Sequence, residues 1–205
     1  MRALAPREFP AALPVGLGAG APAVPGTACI GVLITIPEPV AAQLAPWRER
    51  FVDPALQGVP PHITLLPPTL VPADHLDEVE RHLRDAVTAT GPFSVHLRGS
   101  GTFLPVSPVT FVQVATGIGP CEVLEARIRS GPLARPLQYP YHPHVTVAHN
   151  VGAEVLDRVD ADLARFEARF DVRSVDLYQA GPTPPGGADE TGLWTLRTAV
   201  PLPGA

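Results

Sequence analysis

The segment PHITLL at residues 61–66 returns in the second half of the chain as PHVTVA at residues 143–148. Both copies read Pro, His, apolar, Thr, apolar, and both are led in by further prolines. In a strand, successive side chains point to opposite faces. His62 and Thr64 therefore share one face of one strand, and His144 and Thr146 share one face of another. Each copy is followed by an amphipathic helical pattern. A duplicated strand–helix unit narrows the architectures open to the chain. It calls for two like lobes, and for a fold that brings the two polar strand faces together.

The remaining segments fit that plan. Residues 29–36, CIGVLITI, are a continuous apolar run rich in β-branched residues and read as a strand covered on both faces. Residues 40–51 place Leu44, Trp47 and Phe51 at helical spacing, with Arg48, Glu49 and Arg50 between them, which predicts a helix. The first motif strand is expected over 62–66, closed by Pro67 and Pro68. A helix follows from Pro72, with Asp74, Asp77 and Glu78 at its N-terminal end and Leu76, Val79, Leu83, Ala86 and Val87 as its apolar stripe. Residues 93–98 alternate as a strand until Gly99 to Gly101 break it, and 109–115 supply the next. A short helix is expected over 121–129 and the second motif strand over 141–148. A long helix then runs from Val155 to Phe170. Strands over 172–179 and 193–200 close the chain around GPTPPGGADE (181–190), a flexible loop by composition.

Written coarsely, the order is β-α-β-α-β-β-α-β-α-β-β. This predicts an α+β fold that is bilobal: two pseudo-symmetric lobes, each a mainly antiparallel sheet with outer helices, and a central cleft between them. On that plan the two motif strands are central and opposed, and His62, Thr64, His144 and Thr146 line the cleft.

With 205 residues the chain suits one bilobal domain over 28–205. Residues 1–27, rich in Ala, Pro and Gly, form an expected flexible leader. Pro14, Pro22 and Pro25 interrupt any signal-like apolar core, and no apolar run reaches the roughly 20 residues that span a bilayer. A cytoplasmic protein with no membrane partner is expected. The net charge of −5 argues against an extended nucleic-acid surface, which needs a basic stripe, yet leaves room for a pocket holding one phosphate. Cys29 and Cys121 read as small buried hydrophobes.

Two imidazoles across a cleft form an acid–base pair near neutral pH. One takes a proton from attacking water while the other gives one to the leaving oxygen. A threonine hydroxyl two residues on donates to an anionic oxygen held between them. This layout suits in-line cleavage of a phosphodiester with no metal or other cofactor. Two rivals stand beside it. His142-Pro-His144 has the spacing of a zinc-binding pair, with His62 as a third ligand, and the same cleft without turnover would be a nucleotide- or RNA-end-binding module. Arg98 and Arg197 are candidate phosphate or ribose contacts, or strand-edge surface residues. Tyr141, Phe103 and Trp194 either stack on a base or pack in the core.

The paired PHITLL and PHVTVA segments resemble the His-x-Thr/Ser-x signatures of the two-histidine (2H) phosphoesterase superfamily, which includes 2′-5′ RNA ligase-like and cyclic phosphodiesterase proteins. The likeness covers about residues 28–202: the motif separation, the helix after each motif and a closing strand with Trp194. It implies a bilobal fold and metal-independent cleavage of a 2′,3′-cyclic phosphate or a 2′-5′ phosphodiester of RNA ends or nucleotides. It also implies catalytic roles for His62 and His144 and phosphate-binding roles for Thr64 and Thr146. The leader and the lack of a concentrated basic surface depart from the pattern. Both favour a nucleotide-sized substrate over a long RNA.

Overall fold

The computed structural model describes residues 26–52, 59–181 and 194–205. The expected leader, up to residue 25, and the loop from residue 182 to 190 lie outside the described residues. In chain order the elements are β1 (Thr27–Thr35), α1 (Val40–Phe51), β2 (His62–Pro72), α2 (Leu76–Ala86), β3 (Phe93–Thr102), β4 (Val109–Thr116), α3 (Ile118–Ile128), β5 (His144–His149), α4 (Ala153–Leu163), β6 (Glu167–Val172), β7 (Ser174–Ala180) and β8 (Trp194–Pro201). Helix α1 spans the residues its apolar spacing predicts.

Two antiparallel four-stranded sheets, ordered β2-β1-β7-β8 and β5-β4-β3-β6, make the two lobes. The orders correspond position by position, with a motif strand at one end of each. The motif strands are thus opposed, but they are the terminal strands of separate sheets rather than central ones. One sheet joins the first two strands of the chain to its last two, and the other is built from the middle. Helices α2 and α3 cover the first sheet, and α1 and α4 the second. Helix α1 follows a strand of one sheet yet packs on β5 of the other, and α3 does the reverse on β2. The lobes are interleaved, with one main core between strands and helices that runs from Ile30, Val32 and Ile63 to Val112, Val145 and Leu156. Fully burying each such side chain stabilises the fold by roughly 1.5–3 kcal/mol.

Several boundaries differ from the pattern-based expectation. Strand β2 does not stop at Pro67 and Pro68 but continues to Pro72, so Pro72 ends a strand and α2 begins at Leu76 after one tight turn. Proline lacks the N–H a ladder needs, but β2 is an edge strand. Its pairing with β1 shifts register between Ile30 and Val32, opposite these prolines. Likewise β3 runs through Gly99 and Gly101 to Thr102, with a register shift in its pairing to β4 between Leu97 and Ser100. The glycines bend the strand without ending it.

Phe166 and Phe170 keep helical spacing from Leu163, yet α4 ends at Leu163 and Phe170 lies on β6, paired with Val95. Their apolar face serves a strand. The expected strand over 172–179 corresponds to β7, and β6 is an additional strand where the sequence pattern predicts the end of the long helix. The second motif strand starts at His144, not at residue 141, because Pro140 and Pro143 keep the preceding segment out of the ladder. Among the described residues, no helix is long and apolar enough to cross a membrane.

Candidate active site

Pairing register decides which side chains meet. Thr64 lies opposite Leu33 and His62 opposite Thr35, while Ile63 lies opposite Ile34. Ile34 and Ile63 belong to the main core, so His62, Thr64, Leu33 and Thr35 share the other face, away from the helices. In the second sheet Thr146 lies opposite Phe111 and His144 opposite Gln113, while the core pair is Val145 and Val112. All four motif residues are thus on sheet faces not covered by the core, and each keeps partial solvent access.

Both histidines are held by the same device. His62 Nδ1 donates to the carbonyl of Pro60, two residues back, at 2.8 Å. His144 Nδ1 donates to the carbonyl of His142, also two residues back, at 2.7 Å. A carbonyl can only accept, so Nδ1 carries the hydrogen and Nε2 is the atom each ring presents. Burial pushes His62 down to about 3, with the Arg48 cation and then His144 adding to the effect. Burial likewise pushes His144 down to about 4, against the raising effect of its hydrogen bond to the His142 carbonyl, while the charge of the His142 ring lowers it by less. Both rings are neutral at pH 7. That His62 senses the charge on His144 puts the two imidazoles in one electrostatic environment.

Aromatic rings wall the His144 side. Phe103 meets His144 edge-on at 4.9 Å between centroids and Phe111 meets it at 5.2 Å. Phe111 comes this close because Gly101 faces it across the ladder, where a Cβ would lie 3.1 Å from the ring. His142 is exposed, precedes β5, and stands 6.1 Å from His144. Its ring lies against the same two phenylalanines as His144, 5.7 Å from Phe103 and 5.3 Å from Phe111, although His142 itself stands outside the strand. Among the described residues no three His, Cys, Asp or Glu side chains are gathered to hold a metal ion.

The His62 side is polar. Thr35 Oγ1, opposite His62, donates to Oδ2 of the buried Asp176 at 2.5 Å, and Ser174 donates to Oδ1 at 3.3 Å. Further along the same face, Leu33, Val59, Tyr178 and Trp194 form a second apolar cluster, so Trp194 packs rather than standing free. Arg197 is engaged by Glu80 at 2.8 Å and Asp77 at 3.8 Å, which ties it to α2. Arg98 is exposed, opposite Glu167 on β6.

Sequence spacing overlooks one group. Arg48, 7 % exposed, lies under the site and donates to the carbonyls of Thr146 (3.0 Å) and Val59 (3.2 Å). Its position four residues after the fully buried Leu44 places it on the core-facing side of α1, and that spacing is the signal that points to it. Tyr141 has its ring packed against the main core and its hydroxyl on the Thr64 carbonyl at 3.0 Å. It is not free to stack on a base.

Comparison with known proteins matches this geometry to a family. A family model described as the 2'-5' RNA ligase superfamily matches residues 36–182. A Bacillus cytotoxicus protein named as a candidate phosphoesterase is 29% identical over 154 residues, covering 73% of this chain and 88% of its own. A similarly named Bacillus cereus (strain B4264) protein is 28% identical over 177 residues, covering 84% and 96%. Among solved structures, Escherichia coli LigT complexed with 3'-AMP superposes with a TM-score of 0.60 at 18% identity, over 86% of this chain and 99% of LigT. TT0787 of Thermus thermophilus gives 0.54 at 22% identity, over 85% and 97%. These two structures share the fold.

Proposed function

Since the chain belongs to the 2'-5' RNA ligase superfamily, and so to the two-histidine phosphoesterases, we propose that it is a metal-independent phosphodiesterase acting on a 2′,3′-cyclic phosphate or a 2′-5′ phosphodiester of RNA ends or nucleotides. The observation that carries this reading is the repeated device at the two motifs. Each His-x-Thr strand anchors Nδ1 on the carbonyl two residues back and leaves Nε2 free.

The phosphoryl group lies between the imidazoles, its non-bridging oxygens accepting hydrogen bonds from the Thr64 and Thr146 hydroxyls. One Nε2 takes a proton from water as the new P–O bond forms. The other imidazole, protonated, gives its proton to the ester oxygen as that P–O bond breaks. Each such group contributes about 10²–10⁴-fold in rate. The low proton affinity of both rings gives the substrate a second task. The acid must be loaded, and the negative charge of the phosphoryl group favours the imidazolium that loading requires. The pseudo-symmetry leaves base and acid to be set by substrate orientation.

A nucleotide-sized substrate is supported by the net charge and by the fold-neighbour LigT, which is described in complexes with 3'-AMP, ATP and NADP+. A cytoplasmic location accords with substrates of this kind. The test is a panel of 2′,3′-cyclic nucleotides, 2′-5′-linked dinucleotides and ADP-ribose cyclic phosphate, assayed with chelator present. Hydrolysis of at least one is expected. Binding without turnover of any would replace the enzyme by a binding module, and activity lost to chelator and regained with zinc would overturn the acid–base mechanism.

A further inference from the structure

A terminal strand has N–H and C=O groups with no ladder partner, and when that edge is turned inward those groups must be satisfied by other means. Strands β2 and β5 are both terminal, belong to separate sheets, and contact one another. In each, the carbonyl of the motif threonine accepts a hydrogen bond from a side chain of the opposite half. Thr64 O accepts from the Tyr141 hydroxyl, three residues before His144 on the segment entering β5. Thr146 O accepts from Arg48 Nη1, on the helix that precedes β2. Arg48 Nη2 holds the carbonyl of Val59, three residues before His62. Each half thus reaches across to the backbone of the other half's motif, at the same motif position.

We propose that Arg48 and Tyr141 are positioning residues: their reciprocal hydrogen bonds to the Thr146 and Thr64 carbonyls set the spacing of the two His-x-Thr strands, and with it the reach from one imidazole to the other across a single phosphoryl group. The consequence for turnover rests on the function proposed above; the geometry does not. A guanidinium buried to this degree is costly to keep unless its donors are met. Here it meets carbonyls on both sides of the cleft, and a leucine at the same position would pack in the core while leaving both carbonyls bare. The two contacts differ in kind. Tyr141 supplies geometry alone, whereas Arg48 adds a positive charge that His62 senses. The other ionisable groups acting on the two imidazoles are His144, on His62, and His142, on His144.

The experiment compares wild-type protein with Tyr141→Phe, Arg48→Lys and Arg48→Met. It measures kcat and KM on whichever phosphodiester is turned over, the melting temperature, and the titration of the His62 and His144 rings by NMR. Misplacing reacting groups by about 1 Å costs about 10²-fold. Tyr141→Phe is expected to lower kcat about 10-fold or more with its fold intact, and to let both rings titrate closer to the ordinary imidazole value as water enters the seam. Arg48→Lys is expected to keep His62 low but not to restore kcat. Arg48→Met is expected to lose both, and if it does not fold, the lysine variant decides alone. Wild-type kcat together with wild-type ring titration in Tyr141→Phe and Arg48→Lys would overturn the proposal. If the wild-type protein turns over none of the phosphodiesters, the proposed function falls, while the ring titrations still decide the positioning role.

Discussion

Binding of a plain dianion should draw a proton into the cleft. Burial holds His62 at about 3 and His144 at about 4, so neither ring is charged near neutrality. The dianion sits between two rings, so about one unit of its charge faces each, and a unit negative charge about 4 Å from an imidazolium gains about 4 kcal/mol at an effective dielectric of about 20. At 1.36 kcal/mol per pK unit, this raises the ring by about 3 units. His144 would then titrate at about 7. Sulfate is the probe of choice, because it carries no titratable proton of its own between about pH 5 and 8. Calorimetric titration in buffers of differing ionisation enthalpy should report uptake of about one proton per sulfate at about pH 6, and much less at about pH 8. The same groups act on stability. A histidine whose folded value is depressed contributes fully above about 6.5, the unfolded value, and its contribution is lost as pH falls toward 4 and then 3. Sulfate should therefore protect the fold most on the acid side. Binding at about pH 6 with no proton uptake would refute the account, as would uptake that survives replacement of both histidines.

Other outcomes follow from the same geometry. His62→Ala and His144→Ala should each lower turnover of a cyclic nucleotide by about 10²–10⁴-fold while remaining folded by circular dichroism, and full activity in either variant would remove that ring from the mechanism. Thr64→Ala and Thr146→Ala each take away one hydrogen bond to the phosphoryl group, so a smaller loss of about 10-fold in kcat/KM is expected from steady-state kinetics. Gly101→Ala puts a Cβ 3.1 Å from the Phe111 ring, which in turn packs on His144. Denaturant unfolding should show about 1–3 kcal/mol of destabilisation, and the His144 resonance should move. An unperturbed His144 signal would mean that the ring gives way outward.

Much of this was legible in the chain because the motif is doubled. A single His-x-Thr strand carries little information, whereas two copies with alternating core partners specify which faces must be polar and that the faces must meet. Helix α1 was legible for a similar local reason, its apolar spacing and flanking prolines agreeing. What escaped depends on partners distant in sequence. Pro67 and Pro68 punctuate a chain read locally, and only the edge position of β2 makes them tolerable within a strand. Phe166 and Phe170 satisfy helical periodicity from Leu163, while Phe170 belongs to the ladder with β3 and Phe166 lies just before it. Arg48 sits among Glu49 and Arg50 and looks like part of a solvated face, until the packing of α1 on β5 turns it inward. Asp176 lies 141 positions from the threonine it joins, beyond the reach of any local pattern.

That last separation bears on when a site exists at all. The sheet that carries His62 is completed by β7 and β8, the final strands of the chain. A nascent polypeptide releases both histidine motifs from the ribosome while half of that sheet is still unmade. The first sheet is therefore complete only once β7 pairs with β1 and β8 with β7. A product truncated before Ser174 would retain every residue of both motifs, and β1, which pairs with the His62 strand, would lack β7 on its other side. Possession of the two signatures is thus no measure of a complete fold, which also needs the C-terminal strands that bear neither motif.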